Sequence, residues 1–135
     1  MTARLSLAVR YAETDAMGVV HHSSYVVWLE AARVEWLVRI GLPYPEVEAQ
    51  GLAFAVVELG LTYRQPARFG EVVEVEVWLA ELSSRALRYQ YRVWRGEVLL
   101  AEGFTRHLCQ DRQGRATRIP PAIAQRLAAH LHRPD

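Results

Sequence analysis

Tyr11-Ala12-Glu13-Thr14-Asp15-Ala16-Met17-Gly18-Val19-Val20-His21-His22-Ser23-Ser24-Tyr25-Val26-Val27-Trp28-Leu29-Glu30-Ala31-Ala32-Arg33 is the stretch whose reading decides the fold. Before it, Leu5 to Tyr11 alternates apolar and polar residues and reads as a strand. Glu13 to Gly18 reads as a turn carrying a lone acid, Asp15, one of three aspartates in the chain. An apolar helix then begins near Ser23 or Ser24, either of which suits an N-cap. An acid a few residues before a helix start lies near free backbone N–H groups and the positive end of the helix dipole. A carboxylate together with such a donor is what hydrolysis of an acyl compound requires.

The spacing extends the helix from Ser24 to Ile40, with Gly41 as its stop and Pro43 beyond. Its apolar residues cover most of the circumference, so it needs a sheet curved about it, or a sheet on one side and a second subunit nearby. Glu35 and Arg39 can pair at i, i+4, and Glu30 with Arg33 reads as a structural ion pair. Pro45 to Gln50 makes a short helical turn closed by Gly51. The period then changes to two: Leu52–Arg64, Glu71–Glu81, Arg85–Trp94 and Val98–Gln110 read as four long strands. They are expected to follow one another as hairpins, so that the sheet is mainly antiparallel, and a helix over Pro121 to Leu131 closes the chain.

At 135 residues, with 51% hydrophobic and 23% charged residues, the chain reads as a single globular domain spanning 1–135. No apolar run reaches the ~20 residues of a membrane span. A net charge of +1 gives no global argument for nucleic acid, and none is expected as a partner. All 16 basic residues are arginine, a feature a GC-rich genome explains. Cys109 is the only cysteine, which rules out an internal disulfide framework. With no disulfide framework, a reducing cytoplasm is the expected location, and Met1 to Arg4 runs into a strand pattern rather than a signal-peptide pattern. His21 and His22 are adjacent and point apart, while His107, His130 and His132 lack ligand spacing to them, so no metal is expected.

Asp15, Gly18-Val19-Val20, His22, Ser24-Tyr25, Glu30 and Arg33 together resemble the signature of the hydroxybenzoyl-CoA thioesterase family of hotdog-fold proteins. In particular they resemble the bacterial acyl-CoA thioesterases associated with the Tol-Pal system. The segment from Tyr63 to Glu71 resembles a strand-to-strand corner common in that family, and His21 stands where relatives often place an aromatic residue. The resemblance implies an α+β hotdog fold, with a five-stranded, mainly antiparallel sheet wrapped around a long helix. It further implies hydrolysis of an acyl-CoA to free acid and CoA, with CoA as part of the substrate and no separate cofactor.

On this resemblance Asp15 is the nucleophile or general base, and the backbone N–H of His22 is the oxyanion donor. Gly18, Val19 and Tyr25 are expected to line the substrate site. Ser84 and Arg85 lie at the turn where relatives bind the CoA nucleotide, and arginine suits phosphate through its bidentate fork. A homodimer assembling to a homotetramer is implied as well. The same sequence leaves room for an acyl-carrier-protein thioesterase, or for a non-catalytic acyl-CoA-binding protein. Cys109 reads as a strand residue rather than a nucleophile.

Overall fold

The computed structural model describes residues 1–132. Five strands form one antiparallel sheet: β1 (Thr2–Ala8), β2 (Ala53–Tyr63), β3 (Val72–Leu82), β4 (Ala86–Arg95) and β5 (Val98–Gln110), in the spatial order β1-β3-β4-β5-β2. Three helices accompany it: α1 (Ser24–Arg39), α2 (Tyr44–Ala49) and α3 (Pro121–Ala129). This is the α+β arrangement of a sheet curled around one long helix.

The period-two pattern sets the inner face of the sheet. Val73, Val75, Val77 and Leu79 of β3 and Leu87, Tyr89, Tyr91 and Val93 of β4 are all buried. Against them α1 lays Tyr25, Trp28, Leu29, Ala32, Trp36 and Leu37, a spacing of three and four residues that keeps them on one face. The helix is also fastened to β1 by hydrogen bonds, from Trp36 Nε1 to the Met1 carbonyl at 3.0 Å and from Arg39 to the Arg4 carbonyl at 2.8 Å. Its end is a Schellman turn: Gly41 takes φ 77°, the Leu42 N–H donates to the Leu37 carbonyl, and the Gly41 N–H donates to the Val38 carbonyl.

Several expectations need correction. The first strand runs Thr2–Ala8 instead of Leu5 to Tyr11, because Tyr11–Glu13 turns into a short 3₁₀ segment. β2 and β3 are not a hairpin. β2 pairs with β5 (Ala53 opposite Gln110, Tyr63 opposite Ala101), and residues 64–71 carry the chain past two strands to β3. Of the two arrangements open to α1, the structure has the sheet on one side: Val27, Val34 and Val38 form an exposed apolar stripe on the other, Val27 being 55% exposed. Glu35 and Arg39 pair at 3.1 Å as expected, but Glu30 and Arg33 do not form an ion pair. The last helix ends at Ala129, two residues before the expected Leu131.

Candidate active site

The turn before α1 is held by residues that the periodicity does not mark. The Glu13 side chain is buried, and its carboxylate accepts from Trp28 Nε1 at 2.7 Å and from the Arg10 N–H at 2.8 Å. The Glu13 carbonyl accepts from the His21 N–H at 2.8 Å and from the Ser24 hydroxyl at 3.3 Å. Both ends of this residue therefore bind the turn to the start of the helix. Burial alone would push the Glu13 carboxyl up. The Arg10 N–H, the Trp28 indole and the Arg10 guanidinium outweigh that and hold it below its ordinary value.

Within the turn, Asp15 closes a tight loop. Its N–H donates to the Val19 carbonyl at 2.8 Å, and its Oδ1 accepts from the N–H of Met17 at 2.8 Å and of Val19 at 3.4 Å. Gly18 supplies the positive φ of 80° that this loop needs, and open space lies beside it. One carboxylate oxygen thus shapes the loop, as a turn aspartate would, while Oδ2 has no protein partner among the described residues. Thr14 and Val20 bridge across the base of the loop, and Val19 bridges to Arg68.

Neither serine caps the helix through its side chain: Ser23 Oγ bonds His21 Nδ1 at 2.7 Å, and Ser24 Oγ reaches back to Glu13. The His22 N–H has no acceptor among the described residues, and the His22 carbonyl accepts from the Tyr63 hydroxyl at 2.8 Å. The two histidine rings stack at 4.1 Å rather than converging as ligands. Among the described residues no three His, Cys, Asp or Glu side chains gather in one place. Cys109 is fully buried on β5, and burial pushes its thiol up.

Asp15, Val19, Val20, His22 and Tyr25 line a single open cleft of ≈ 370 Å³, completed by Tyr63, Arg64, Gln65 and Pro66 from the end of β2. The Tyr25 ring meets Tyr63 edge-on at 5.0 Å. Tyr63, Arg64 and Gln65 carry no chemical signature in the sequence. They enter because the corner after β2 folds over the helix start. The cleft therefore places an acid, a free N–H at a helix N-terminus and an aromatic wall side by side, the set that polarises and cleaves an acyl carbonyl.

Gly18 shapes the loop without lining the cleft. Ser84 and Arg85 stand elsewhere, in the β3–β4 turn, where their carbonyls accept from the N–H groups of Ile119 and Cys109. β1 ends beside Val72 at the start of β3, so the Asp15 loop lies at that end. β3 then runs 11 residues, roughly 35 Å at strand rise, before Ser84 is reached. One protomer does not bring these two residues to Asp15.

A long helix against a curled antiparallel sheet, with the acid loop at the helix start, defines a hotdog protein. The profile of the thioesterase-like superfamily matches residues 9–127, and the chain belongs to that family. It is 32% identical to the acyl-CoA thioester hydrolase YbgC of Escherichia coli, over 80% of this chain and 81% of that protein. Among solved structures, the hypothetical protein TT1821 of Thermus thermophilus is 63% identical at a TM-score of 0.93, covering 98% of this chain and all of the other. The DHNA-CoA thioesterase of Staphylococcus aureus is 27% identical at a TM-score of 0.91, covering 95% and 89%.

Proposed function

We propose that the protein is an acyl-CoA thioesterase working from the Asp15 cleft. The observation that carries this reading is the meeting of Asp15, with one carboxylate oxygen unbonded, and the unengaged His22 N–H in one cleft. The family and its thioester-hydrolase relatives support the reaction class.

The substrate carbonyl oxygen accepts from the His22 N–H, where the helix dipole favours the negative charge that develops. With Asp15 as general base, its Oδ2 takes a proton from a water as that oxygen attacks the carbonyl carbon. The tetrahedral intermediate collapses by breaking the C–S bond, and the thiolate leaves and takes up the proton, giving acid and CoA. With Asp15 as nucleophile, Oδ2 attacks instead, the thiolate leaves, and water hydrolyses the mixed anhydride. Single-turnover hydrolysis in ¹⁸O-water separates the two. The base route labels the first product acid directly, whereas the nucleophile route, with water attacking the Asp15 carboxyl carbon of the anhydride, delivers an unlabelled oxygen from Asp15 first and leaves the label in Asp15.

The test of the function is a panel of acyl-CoAs, from short through long chains to benzoyl and hydroxybenzoyl, with a carrier-protein thioester beside them. Asp15→Asn is expected to lower kcat by about 10²–10⁴-fold with binding retained. His22→Ala, which keeps the backbone N–H, is expected to lose less than about tenfold if the amide rather than the ring is the oxyanion donor. No turnover of any thioester by the wild type would leave a binding protein without chemistry.

A homodimer is part of this proposal, as are a homotetramer built from it and a cytoplasmic location. The exposed Val27–Val34–Val38 stripe and the apolar edge strand β2, with Val56, Val57, Leu59 and Tyr63 exposed, are surfaces that water penalises. Val34 and Phe54 line one cavity, so stripe and edge adjoin. A second copy covering both would also give Ser84 and Arg85 a route to CoA held by another subunit.

A further inference from the structure

An oxyanion donor works best when its direction is set before substrate arrives, since an amide that must first turn adds that reorganisation to the reaction step. Around His22 the other backbone groups are already engaged. The His21 N–H donates to the Glu13 carbonyl at 2.8 Å, and the His21 carbonyl accepts from the Ser24 N–H at 3.0 Å. The Ser23 N–H donates to His21 Nδ1 at 3.1 Å, and the Ser23 carbonyl accepts from the Val26 N–H at 3.2 Å. The His22 carbonyl accepts from the Tyr63 hydroxyl at 2.8 Å. Over residues 21–23 this leaves the His22 N–H as the one backbone group without a partner among the described residues.

Most of these bonds arise within the turn and the first turn of α1. Tyr63 is different, because it reaches the helix start from the sheet, 41 residues further along the chain. It is also well anchored. Its backbone ends β2 opposite Ala101 of β5. The next two N–H groups, of Arg64 and Gln65, both donate to the Leu100 carbonyl, at 2.7 and 3.1 Å, so the chain leaves the sheet directly after Tyr63. Its ring is set edge-on to Tyr25 at 5.0 Å. Burial pushes the hydroxyl above the ordinary tyrosine range, so it stays protonated and able to donate at neutral pH.

Two peptide planes meet at the His22 Cα. The Ser24 N–H holds the plane that carries the His22 N–H, and the Tyr63 hydroxyl holds the one that follows. With both planes held, the torsions at this Cα cannot turn the N–H out of the cleft. Without the hydroxyl, the second plane would keep only its bond to the ring of His21, which is exposed.

We propose that Tyr63 is a positioning residue for hydrolysis: through the His22 carbonyl, its hydroxyl holds the His22 N–H toward the developing oxyanion. This rests on the reading of the Asp15 cleft as a thioesterase site. The hydroxyl acts through His22 and not on the substrate, so its effect belongs to the transition state and to kcat.

Tyr63→Phe in the full chain is the test, because it keeps the ring against Tyr25 and the apolar surface of β2 while removing the hydroxyl. With the acyl-CoA that the wild type hydrolyses fastest, kcat is expected to fall by about 10- to 100-fold, with KM within about twofold. Tm should fall by less than about 3 °C. In ¹H–¹⁵N spectra the His22 amide signal should move and broaden, a change that a side chain merely lining the cleft would not cause. Tyr63→Leu, which also removes the ring, should lose the same factor in kcat and raise KM besides. An unchanged kcat in Tyr63→Phe, a rise in KM alone, or a fall in kcat with the His22 signal unmoved would each overturn the proposal. Absence of turnover by the wild type on every thioester would overturn the thioesterase reading and this proposal with it, a result distinct from an active enzyme indifferent to Tyr63→Phe.

Discussion

At the scale of single residues, the groups that organise the helix start are those whose polarity contradicts their burial. Glu13 is the plainest case. Replacing it with Gln keeps the shape but weakens acceptance from Trp28 and Arg10, and leaves a buried amide mismatched to its donors. The expected cost is about 1–3 kcal/mol of stability, read by urea unfolding at pH 7. Because the folded-state carboxyl sits below its unfolded value, its stabilising share is complete above pH ~4.5 and is lost as pH falls through the folded pKa.

His107 titrates in a separate window. Burial is the main cause of its fall to about 4, reinforced by Arg33 and opposed by the Phe54 carbonyl. Its folded pKa is therefore depressed, and the unfolded chain takes up the proton first. Stability should decline as pH falls from about 7 to 4, by on the order of 3 kcal/mol, and should owe nothing further to this residue below that. His107→Gln should flatten that slope in unfolding curves taken at pH 7, 5.5 and 4. Neither residue is visible to a search for chemistry-bearing motifs. An isolated Glu in a turn or His in a strand carries no periodic signal, and only the folded neighbours reveal its burial.

At the scale of elements, periodicity marks the long pieces well. β5 occupies its expected span, and β2, β3 and β4 depart from theirs by about a residue at each end. The break at residues 64–71 misleads because its Pro and Gly chemistry suits a hairpin and a crossover equally. What sends β2 to β5 is sheet pairing between distant segments, which no local pattern encodes. One pairing leaves a mark that can be tested. Leu61 opposes Gly103, and a Cβ on Gly103 would lie 2.1 Å from the Gly60 carbonyl oxygen. Because that neighbour is backbone, Gly103→Ala should destabilise by about 1–3 kcal/mol. An unchanged Tm for this variant would show that β2 is free to move away from β5. The Asp15 loop, by contrast, was legible in the sequence as far as its acid and its glycine, because both belong to a motif of fixed spacing. The Tyr63–Pro66 wall was not, since it reaches the cleft only through the crossover.

At the scale of the whole molecule, the exposed apolar stripe on α1 and the bare edge of β2 make one prediction together. Val34→Glu with Val57→Lys should shift the sedimentation of the protein from dimer to monomer. If the wild type already sediments as a monomer at micromolar concentration, the dimer is withdrawn. The sequence pointed to this surface through a helix that is too apolar for its position. It did not show which side would be covered, because the curvature of the sheet, and not the composition of the helix, decides that.

The indole of Trp28 has one further consequence. It is hydrogen-bonded to Glu13 at one edge, and its ring lies 4.8 Å from Tyr25, which lines the cleft. The molecule thus carries its own optical gauge. Light absorbed by this tryptophan is emitted at a colour set by the carboxylate beside it and by whatever occupies the neighbouring groove. Subtracting the spectrum of Trp28→Phe would isolate that emission from the other three tryptophans, so the helix start could be watched without attaching any dye.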